Sequence, residues 1–509
     1  MPSTRPLAGG ISLRHLFPQA TFVHAADIQV HAVCDQVERV RPGDLFVARE
    51  DESFDGHWDA DQALKRGAVA VLSERLLPVS LPQCVVPDSN AAFGRVCQSL
   101  AGDPSRQMAT IGVSGSNGKT ITSLLIAAVL KAGGVRTGYT TTLQNTDSLN
   151  PESPVAESPA PPELADWMAR MTAAGCEAAV LECGSRSLAR RELTGIEFDA
   201  AVLTDLRREH LNGSPSFRCD RRIKLRMFEH LAPDGMVVIN ADDPHSQRLL
   251  PSIKHPVLTV GHRVQADITA KLLDRCASEQ TILLSAGSDS VPVRTAIIGD
   301  VHISHCLQAA AIGLIAGLDL PTIARGLERV RSLPGRLERI ECGQSFSVFV
   351  DEAQTPDRLA VALHTLRSVT QGRIFCVYGV DANCPESIRP LLGRVAERAA
   401  NVSIITSNNP RFEKPRQIAH DILYGCEHPE RPHVIPSRDR AIQWALEEAR
   451  PGDCVLIAGK GDRVGEVIGK RRQPFDDREV AKQTLYELAA DEPVILPFPG
   501  VRSRAATRA

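Results

Sequence analysis

Short runs of consecutive apolar residues, separated by segments with helical periodicity, recur along most of the chain. Runs of this length that alternate with helices are typical of strands buried on both faces of a parallel sheet. The clearest predicted strands lie at 45–48, 68–72, 108–111, 178–181, 200–204, 236–240, 347–350, 374–378, 402–405 and 453–458. Helical patterns lie between them, for example at 60–67, 123–131 and 358–368. The alternation predicts an α/β fold.

Turn residues divide this alternation into three segments. Pro104 precedes the strand at 108–111, and Pro334 with Gly335 precedes the last series of strands. A chain of 509 residues also exceeds what a single core usually organises. We therefore expect a small N-terminal α/β domain (1–107), a central phosphate-loop domain with a parallel sheet (108–333), a C-terminal Rossmann-like α/β domain (334–498) and a disordered tail (499–509).

Composition narrows the class of protein. The net charge of −3 gives no overall attraction to nucleic acid or to an anionic membrane, so neither is an expected partner. No apolar stretch reaches the roughly 18 residues of a membrane span, and residues 1–10 lack a signal-peptide pattern. Thirteen cysteines without C-x-x-C pairs favour reduced thiols. We expect a cytoplasmic protein.

The strand at 108–111 runs into the sequence G-V-S-G-S-N-G-K-T at 112–120, which a helical pattern follows. The order of a strand, a glycine-rich loop and a helix, with Lys and Thr after the last glycine, is similar to that of a phosphate-binding loop. The first glycine is displaced by one residue from the usual pattern. A glycine-rich turn without a ligand is the alternative, and the Lys-Thr pair disfavours it. Small residues let backbone N–H groups surround a polyphosphate, while Lys119 can reach its terminal phosphates and Thr120 can hold Mg²⁺.

Other polar residues follow the ends of strands. Glu182 ends the strand at 178–181, and His210 follows the strand at 200–204 within a few residues. Ligands of open α/β sheets bind at the carboxyl ends of strands, so Glu182 and His210 are expected near the phosphates that Lys119 binds. Five prolines within 151–162 predict an irregular loop over this site.

A series of short motifs resembles the Mur ligase family in order along nearly the whole chain. The motifs are R-P-G-D-L-F-V-A (41–48), D-G-H (55–57), the phosphate loop (112–120), the strand of Glu182, E-H-L-N (209–212), Lys224, N-A-D-D (240–243), P-G-R-L-E (334–338), the strand of Asp351 with T-P-D (355–357), N-P-R (409–411), A-G-K-G (458–461) and D-D-R-E-V-A (476–481). Single motifs of this length arise by chance, but a dozen in the same order do not. The nearest branch adds the third amino acid to a UDP-N-acetylmuramoyl-dipeptide.

The resemblance implies an ATP-dependent amide ligase that forms an acyl phosphate and then an amide bond. By analogy, Gly115, Asn117, Gly118, Lys119 and Thr120 bind the ATP phosphates. Thr120 and Glu182 hold one Mg²⁺, and His210 with Lys224 holds a second, with Lys224 carbamylated as is typical of the family. Arg336 and Asp351 contact the nucleotide from the third domain. Alone, each of these residues has an ordinary structural explanation; together and in family order they favour catalysis.

The amino-acid site is less typical of the family. Arg411 matches the arginine that clamps the distal carboxylate of meso-diaminopimelate, and Asn409 and Gly461 complete the expected contacts. Asn408 stands where the family has aspartate, and 462–463 reads Asp-Arg in place of His-Glu. The loop at 379–390 loses two glycines and two basic residues of the family pattern. His305 stands where an asparagine is expected near the adenine.

Three hypotheses follow. The first is a divergent, active ligase that joins meso-diaminopimelate to UDP-N-acetylmuramoyl-L-Ala-D-Glu, acting as a monomer. The second is an enzyme of the same chemistry with another acceptor or amine, which the Asp462-Arg463 pair would suit. The third is a non-catalytic paralogue that binds nucleotide or cell-wall precursors, although Lys119, Glu182 and Lys224 are all retained.

Overall fold

The computed structural model describes residues 10–51, 54–154, 158–206 and 217–491. The chain forms two compact units, Met1–Leu333 and Pro334–Ala509. The first unit contains a five-stranded and an eleven-stranded sheet, and the second contains a six-stranded sheet. All three sheets carry helices between parallel strands, so the predicted α/β fold is confirmed.

The N-terminal part of the first unit is a small α/β region with a five-stranded sheet and two separate strand pairs. Its strands are β1 Ile11–Ser12, β2 Thr21–Val23, β3 Gln29–Val30, β4 Val33–Cys34, β5 Leu45–Val47, β6 Glu50–Asp51, β7 Phe54–Asp55, β8 Ala70–Ser73 and β9 Gln83–Val85. Its helices are α1 Leu13–Leu16, α2 Ala60–Lys65 and α3 Ser89–Leu100. The five-stranded sheet has the order β2-β9-β8-β5-β4, and only the pairing of β2 with β9 is antiparallel. The two separate pairs are β1 with β3 and β6 with β7.

The eleven-stranded sheet forms the rest of the first unit. Its strands are β10 Ala109–Ser114, β11 Thr137–Thr140, β12 Asn145–Thr146, β13 Pro151–Glu152, β14 Ala178–Glu182, β15 Phe198–Leu203, β16 Leu231–Asn240, β17 Val257–Gly261, β18 Ile268–Arg275, β19 Gln280–Ala286 and β20 Asp289–Thr295. Its helices are α4 Lys119–Ala132, α5 Pro161–Ala173, α6 Ser185–Ala189, α7 Phe217–Leu225, α8 Pro244–Gln247, α9 Asp300–Ile315 and α10 Leu320–Glu328.

The middle of this sheet is parallel and its two edges are antiparallel. Strands β11, β14, β10, β15, β16, β17 and β18 pair in parallel in that order. Antiparallel pairs extend it through β12 and β13 at one edge and through β19 and β20 at the other. Parallel strands end at the same edge of a sheet, so the carboxyl ends of β10, β14 and β15 lie side by side.

Helices cover both faces of the parallel strands. Ala178 and Val180 of β14 belong to a core with helices α4, α9 and α10, whereas Ala179 and Leu181 of the same strand face a core with α5. Side chains alternate between the two faces of a strand, so a strand covered on both faces is apolar at every position. This two-sided burial explains the continuous apolar runs in the sequence.

The second unit is built on a six-stranded sheet. Its strands are β21 Glu338–Arg339, β22 Ser347–Asp351, β23 Ile374–Tyr378, β24 Val402–Ile405, β25 His433–Val434 and β26 Cys454–Ala458, and a separate pair comprises β27 Glu466–Ile468 and β28 Arg471–Gln473. Its helices are α11 Pro356–Arg367, α12 Arg389–Ala399, α13 Pro415–Leu423, α14 Arg438–Glu448 and α15 Asp477–Asp491. The order is β21-β22-β26-β23-β24-β25, parallel except for β21.

The proline-rich segment at 151–162 differs from the prediction of an irregular loop. Strand β13 begins at Pro151 at the edge of the sheet, and helix α5 begins at Pro161. Proline is favoured in the first turn of a helix because its missing N–H would have no intrahelical partner there. The prediction was wrong at both ends of the segment, and residues 155–157 lie outside the described residues.

The described cysteines form no disulfides. In the same ranges, no helix is both long enough and apolar enough to cross a membrane. The tail expected to be disordered, 499–509, lies outside the described residues.

Candidate active site

The glycine-rich loop connects β10 to the N-terminus of α4, as the sequence predicts. Gly115 and Gly118 have φ of 145° and 79°, a conformation that residues with a side chain rarely adopt. A Cβ on Gly115 would lie 1.9 Å from Thr204 Oγ1, and one on Gly118 would lie 2.0 Å from His305 Nε2. Both glycines are therefore required by backbone conformation and by space.

The end of the neighbouring strand β15 holds the loop. The Asn117 N–H donates to Asp205 Oδ1 at 2.8 Å, and the Ser116 N–H donates to the Asp205 carbonyl at 3.0 Å. Thr204 Oγ1 donates to the Asn117 carbonyl at 2.6 Å. These bonds hold the backbone of the loop against the end of β15. Sequence reasoning missed Asp205, although its place after a parallel strand could have indicated it.

Lys119 lies over the loop that precedes it. Its Nζ donates to the Gly115 carbonyl at 3.1 Å and approaches the Ser116 carbonyl at 3.5 Å. The ammonium group is thus close to the backbone that would surround a polyphosphate, together with the N-terminus of α4. This is the position from which a phosphate-loop lysine reaches terminal phosphates.

Thr120 and Glu182 meet at the sheet edge. Thr120 Oγ1 donates to Glu182 Oε2 at 2.9 Å, and the Thr142 N–H donates to the same carboxylate oxygen at 3.1 Å. The hydroxyls of Thr120 and Thr142 are 2.9 Å apart. Hydroxyl and carboxylate oxygens are the hard ligands that Mg²⁺ prefers, so this pair fits the predicted magnesium site. Thr142 is a third member that the sequence reasoning did not identify.

Lys224 lies in the same region. It is on α7, its residue is 1% exposed, and its Nζ donates to Ser116 Oγ at 2.9 Å. A buried ammonium is costly unless it is well paired, which makes an exposed helix lysine the wrong interpretation of this residue. His210, its predicted partner at a second metal, lies outside the described residues. In those residues no cluster of three or more His, Cys, Asp or Glu side chains could hold a metal ion.

Two buried histidines of α9 contact each other, and one of them, His305, lies against the loop. Nδ1 of His302 is 3.3 Å from Nδ1 of His305, whose Nε2 faces Gly118. Burial lowers the pKa of His302 to about 4, with a smaller contribution from the charge of Arg275. His302 is therefore neutral at pH 7, and one of the two facing nitrogens carries the shared hydrogen.

The second unit holds the predicted nucleotide residues of the third domain. Asp351, at the end of β22, accepts hydrogen bonds from the Leu337 N–H at 2.7 Å and the Ala353 N–H at 2.8 Å. Burial raises the pKa of Asp351 to about 6 despite these bonds and the nearby charge of Arg336. Arg336 pairs with Glu352 at 2.7 Å and with Asp462 at 3.0 Å.

Gly461 belongs to this group. Its φ is 60°, and a Cβ would lie 2.7 Å from the Cβ of Glu352 and 2.9 Å from the Gly335 carbonyl. Asp462, which replaces a histidine of the family motif, faces Arg336. The Asp462 carboxylate is thus paired with a cation of the same unit.

Asn409 and Arg411, the predicted amino-acid contacts, lie together on another loop of the second unit. Asn409 Nδ2 donates to Asp381 Oδ2 at 3.0 Å, and Arg411 Nε donates to Asp381 Oδ1 at 3.0 Å. Lys460, which is fully buried, donates to Asn409 Oδ1 at 3.3 Å. Burial lowers the pKa of Lys460 to about 8. Sequence reasoning assigned no role to Asp381 or Lys460.

The structure thus groups the predicted residues. The described residues of the central site lie in or against one loop. Five belong to the loop, namely Gly115, Asn117, Gly118, Lys119 and Thr120, and two contact it, namely Glu182 and Lys224. In the second unit, Arg336, Asp351 and Gly461 form one cluster, and Asn409 and Arg411 form another.

Comparison with known proteins identifies the relatives of this architecture. Residues 113–313 match the Mur ligase middle domain, and residues 335–461 match the Mur ligase glutamate ligase domain. The chain is 34% identical over 455 residues to UDP-N-acetylmuramoyl-L-alanyl-D-glutamate–2,6-diaminopimelate ligase of Geobacillus thermodenitrificans, covering 88% of this chain and 93% of that protein. The chain belongs to the Mur ligase family. The resemblance inferred from the sequence motifs, and the ligase class that it implied, are confirmed.

Solved structures of Mur ligases share the fold. A structure of UDP-N-acetylmuramoyl-L-alanyl-D-glutamate–2,6-diaminopimelate ligase superposes with a TM-score of 0.69 at 26% identity, covering 94% of this chain and 99% of that one. MurF ligase from Thermotoga maritima, solved in complex with ADP, superposes with a TM-score of 0.62 at 18% identity, covering 90% and 96%. The second likeness concerns the fold alone.

Proposed function

We propose that this Mur ligase adds meso-diaminopimelate to UDP-N-acetylmuramoyl-L-alanyl-D-glutamate in peptidoglycan synthesis, with hydrolysis of ATP to ADP. The observation that supports the proposal most directly is the group of Lys119, Thr120 and Glu182 around one phosphate-binding loop, with Thr120 Oγ1 2.9 Å from the Glu182 carboxylate. The relatives named for this reaction supply the substrates.

The reaction has two steps. A carboxylate of the muramoyl dipeptide attacks the γ-phosphate of ATP and gives an acyl phosphate and ADP. The amine of the amino acid then attacks the acyl carbon, and phosphate leaves as the amide forms. Negative charge accumulates on the transferred phosphoryl group, so fixed cations and N–H donors accelerate the first step most.

The residues of the central site have separate roles in this scheme. Lys119 and the N–H groups of the loop bind the β- and γ-phosphates, and Asp205 keeps the loop in shape through Asn117. Thr120 and Glu182 would hold Mg²⁺, which neutralises phosphate charge when bound. Lys224 as an amine donates to Ser116; as a carbamate it would offer carboxylate oxygens to a second Mg²⁺ with His210.

The second unit carries the other residues assigned to substrates. Arg336 and Asp351 are assigned to the nucleotide, and Asn409, Arg411 and Gly461 to the amino acid. Arginine suits the distal carboxylate of diaminopimelate because its planar group binds carboxylates through two nitrogens. The enzyme would act as a monomer in the cytoplasm, where ATP and UDP-linked precursors are available, with no nucleic-acid partner.

The test is phosphate release by the purified protein with Mg²⁺, ATP and the UDP-muramoyl dipeptide, with and without meso-diaminopimelate, lysine and other amino acids. We expect release that depends on the dipeptide and on diaminopimelate together. Absence of release from every pair, in a folded protein that binds ATP, would favour a different substrate or a binding paralogue.

Lys119→Ala should lower this turnover by about 100-fold or more, because it removes a cation from the transition state. The matched control is Lys131→Ala, which removes the same charge at the exposed C-terminal end of the same helix. Full activity of Lys119→Ala would contradict the phosphate-loop assignment, and equal losses in the two variants would point to damage to α4.

A further inference from the structure

Arg411 is already paired with a carboxylate of its own unit. Asp381 Oδ1 accepts from Arg411 Nε at 3.0 Å and from the Asn383 N–H at 2.9 Å, and Asp381 Oδ2 accepts from Asn409 Nδ2 at 3.0 Å. The amide oxygen of Asn383, in the orientation that satisfies its neighbours, accepts from Arg411 Nη2 at 3.1 Å. One edge of the guanidinium group is thus occupied by oxygens of the loop that follows β23.

The pairing is held by the backbone on both sides. The Ala382 N–H donates to the Asn409 carbonyl at 3.1 Å, and the Arg411 N–H donates to the Val467 carbonyl at 3.0 Å. Asn409 and Arg411 each have φ of 51°, an unfavourable conformation that persists only where the surroundings impose it. The Asp381 side chain is 12% exposed and that of Arg411 is 38% exposed. Asp381 is therefore a fixed neighbour of Arg411, and Arg411 still reaches solvent.

The charge of this pair affects what else can bind to Arg411. A carboxylate that approaches the exposed part of the guanidinium group meets a cation whose charge Asp381 largely balances, and it is repelled by Asp381 itself. An ammonium or a neutral group does not incur that repulsion. With Nε held by Asp381, a bidentate carboxylate is left with Nη1 and Nη2, and Nη2 already donates to the Asn383 oxygen.

We propose that Asp381 is a selectivity determinant of the amino-acid site, which weakens the binding of a distal carboxylate to Arg411 relative to a distal ammonium or neutral group. The inference rests on the proposed ligase function and on the assignment of Arg411 to the amino acid. The substrate property that the site discriminates is the charge at the far end of the incoming amino acid. Asp381 acts through Arg411 and is a positioning residue.

The test compares two amino acids that differ at this end, meso-diaminopimelate with a distal carboxylate and L-lysine without one. Both are titrated against full-length protein with saturating ATP, Mg²⁺ and UDP-muramoyl dipeptide, and kcat and KM are measured from phosphate release. The variants are Asp381→Asn, Arg411→Ala, and the double variant. The control is Glu386→Gln, which removes one negative charge from an exposed position in the same loop.

We expect Asp381→Asn to lower the KM for diaminopimelate about tenfold relative to that for lysine, with the KM for ATP unchanged. Glu386→Gln should leave the ratio of the two KM values unchanged. In the Arg411→Ala background, Asp381→Asn should no longer change the ratio, which distinguishes an effect through Arg411 from a general disturbance of the loop.

An unchanged ratio in folded Asp381→Asn, or the same change with and without Arg411, overturns the inference while the ligase function stands. Absence of turnover by the wild-type protein with every amino acid overturns the proposed function itself. Thermal unfolding establishes that each variant is folded. If Asp381→Asn is unfolded, Asp381→Ser, which keeps an acceptor for the Asn383 N–H, takes its place with the same expected outcomes.

Discussion

His302 is a buried histidine whose pKa of about 4 should make the first unit sensitive to acid. The unfolded chain binds a proton at this position near pH 6.5, whereas the folded unit binds it only near pH 4. The stability contributed by neutral His302 is thus present above pH 6.5 and is lost as the pH falls to 4. The shift corresponds to a loss of about 3 kcal/mol in the free energy of unfolding.

His302→Gln should remove this part of the pH dependence, because glutamine does not titrate and can still contact His305. The measurement is urea unfolding of the first unit at pH 7 and at pH 4.5, compared with the wild-type protein. His15→Gln, at an exposed position of the same unit, serves as the control and should behave like the wild type. A pH dependence of His302→Gln equal to that of the wild type would show that His302 does not titrate as described.

At the level of single residues, the sequence was most informative where a functional residue is identified by its immediate neighbours in the chain. Lys119 and Thr120 follow the last glycine of the loop, and Glu182 ends an apolar run, so each could be found within a few residues. The place of Asp205 after a parallel strand could have indicated a role, but the contacts of Asp205 and Asp381 could not be predicted, because their partners lie 88 and 30 residues away in the sequence. Such contacts depend on which loops the topology brings together.

Among the elements, most central parallel strands were predicted, whereas β11, β17 and the strands at the antiparallel edges were not. A strand buried on both faces is a continuous apolar run, whereas β18 has exposed residues along much of its length and contains Lys271, Asp274 and Arg275. The start of α5 was not predicted, because prolines occur both in loops and in the first turn of a helix. Composition alone does not distinguish these two uses of proline.

The junction of the loop with α4 gives a prediction at the scale of an element. Gly118→Ala and Gly134→Ala, at φ of 79° and 83°, share an unfavourable backbone conformation that costs about 1 kcal/mol. Only at Gly118 would the new methyl meet another group, His305 Nε2, within 4 Å. Since His305 is buried against His302, Gly118→Ala should cost about 1–3 kcal/mol more than Gly134→Ala.

Chemical denaturation of the two variants measures this difference. Adding His305→Ala to Gly118→Ala should recover part of the extra loss, because the methyl group then has space. Nucleotide binding should weaken in Gly118→Ala and stay unchanged in Gly134→Ala, which lies beyond the far end of the helix. Equal destabilisation by the two alanines would contradict the packing of His305 on the loop.

At the scale of the whole molecule, the two units have separate cores. The clusters around α4 and around α5 lie in the first unit, and the cluster of β22, β23 and β26 with α14 lies in the second. The described hydrogen bonds of the phosphate loop all join residues of the first unit. Nucleotide bound at that loop should therefore stabilise the first unit directly.

The tryptophans allow this to be measured. Trp58 and Trp167 are in the first unit and Trp444 is in the second, so Trp444→Phe leaves a protein whose tryptophan fluorescence reports on the first unit. Magnesium and ADP at 100 times the dissociation constant should raise its free energy of unfolding by about 2.7 kcal/mol. Lys119→Ala in the same background should abolish most of the gain, and Lys131→Ala should keep it. A gain that survives Lys119→Ala would place the nucleotide away from this loop. Because a ligand can stabilise only the unit to which it binds or one that is coupled to it, the nucleotide would then bind elsewhere on the first unit or on a part coupled to it.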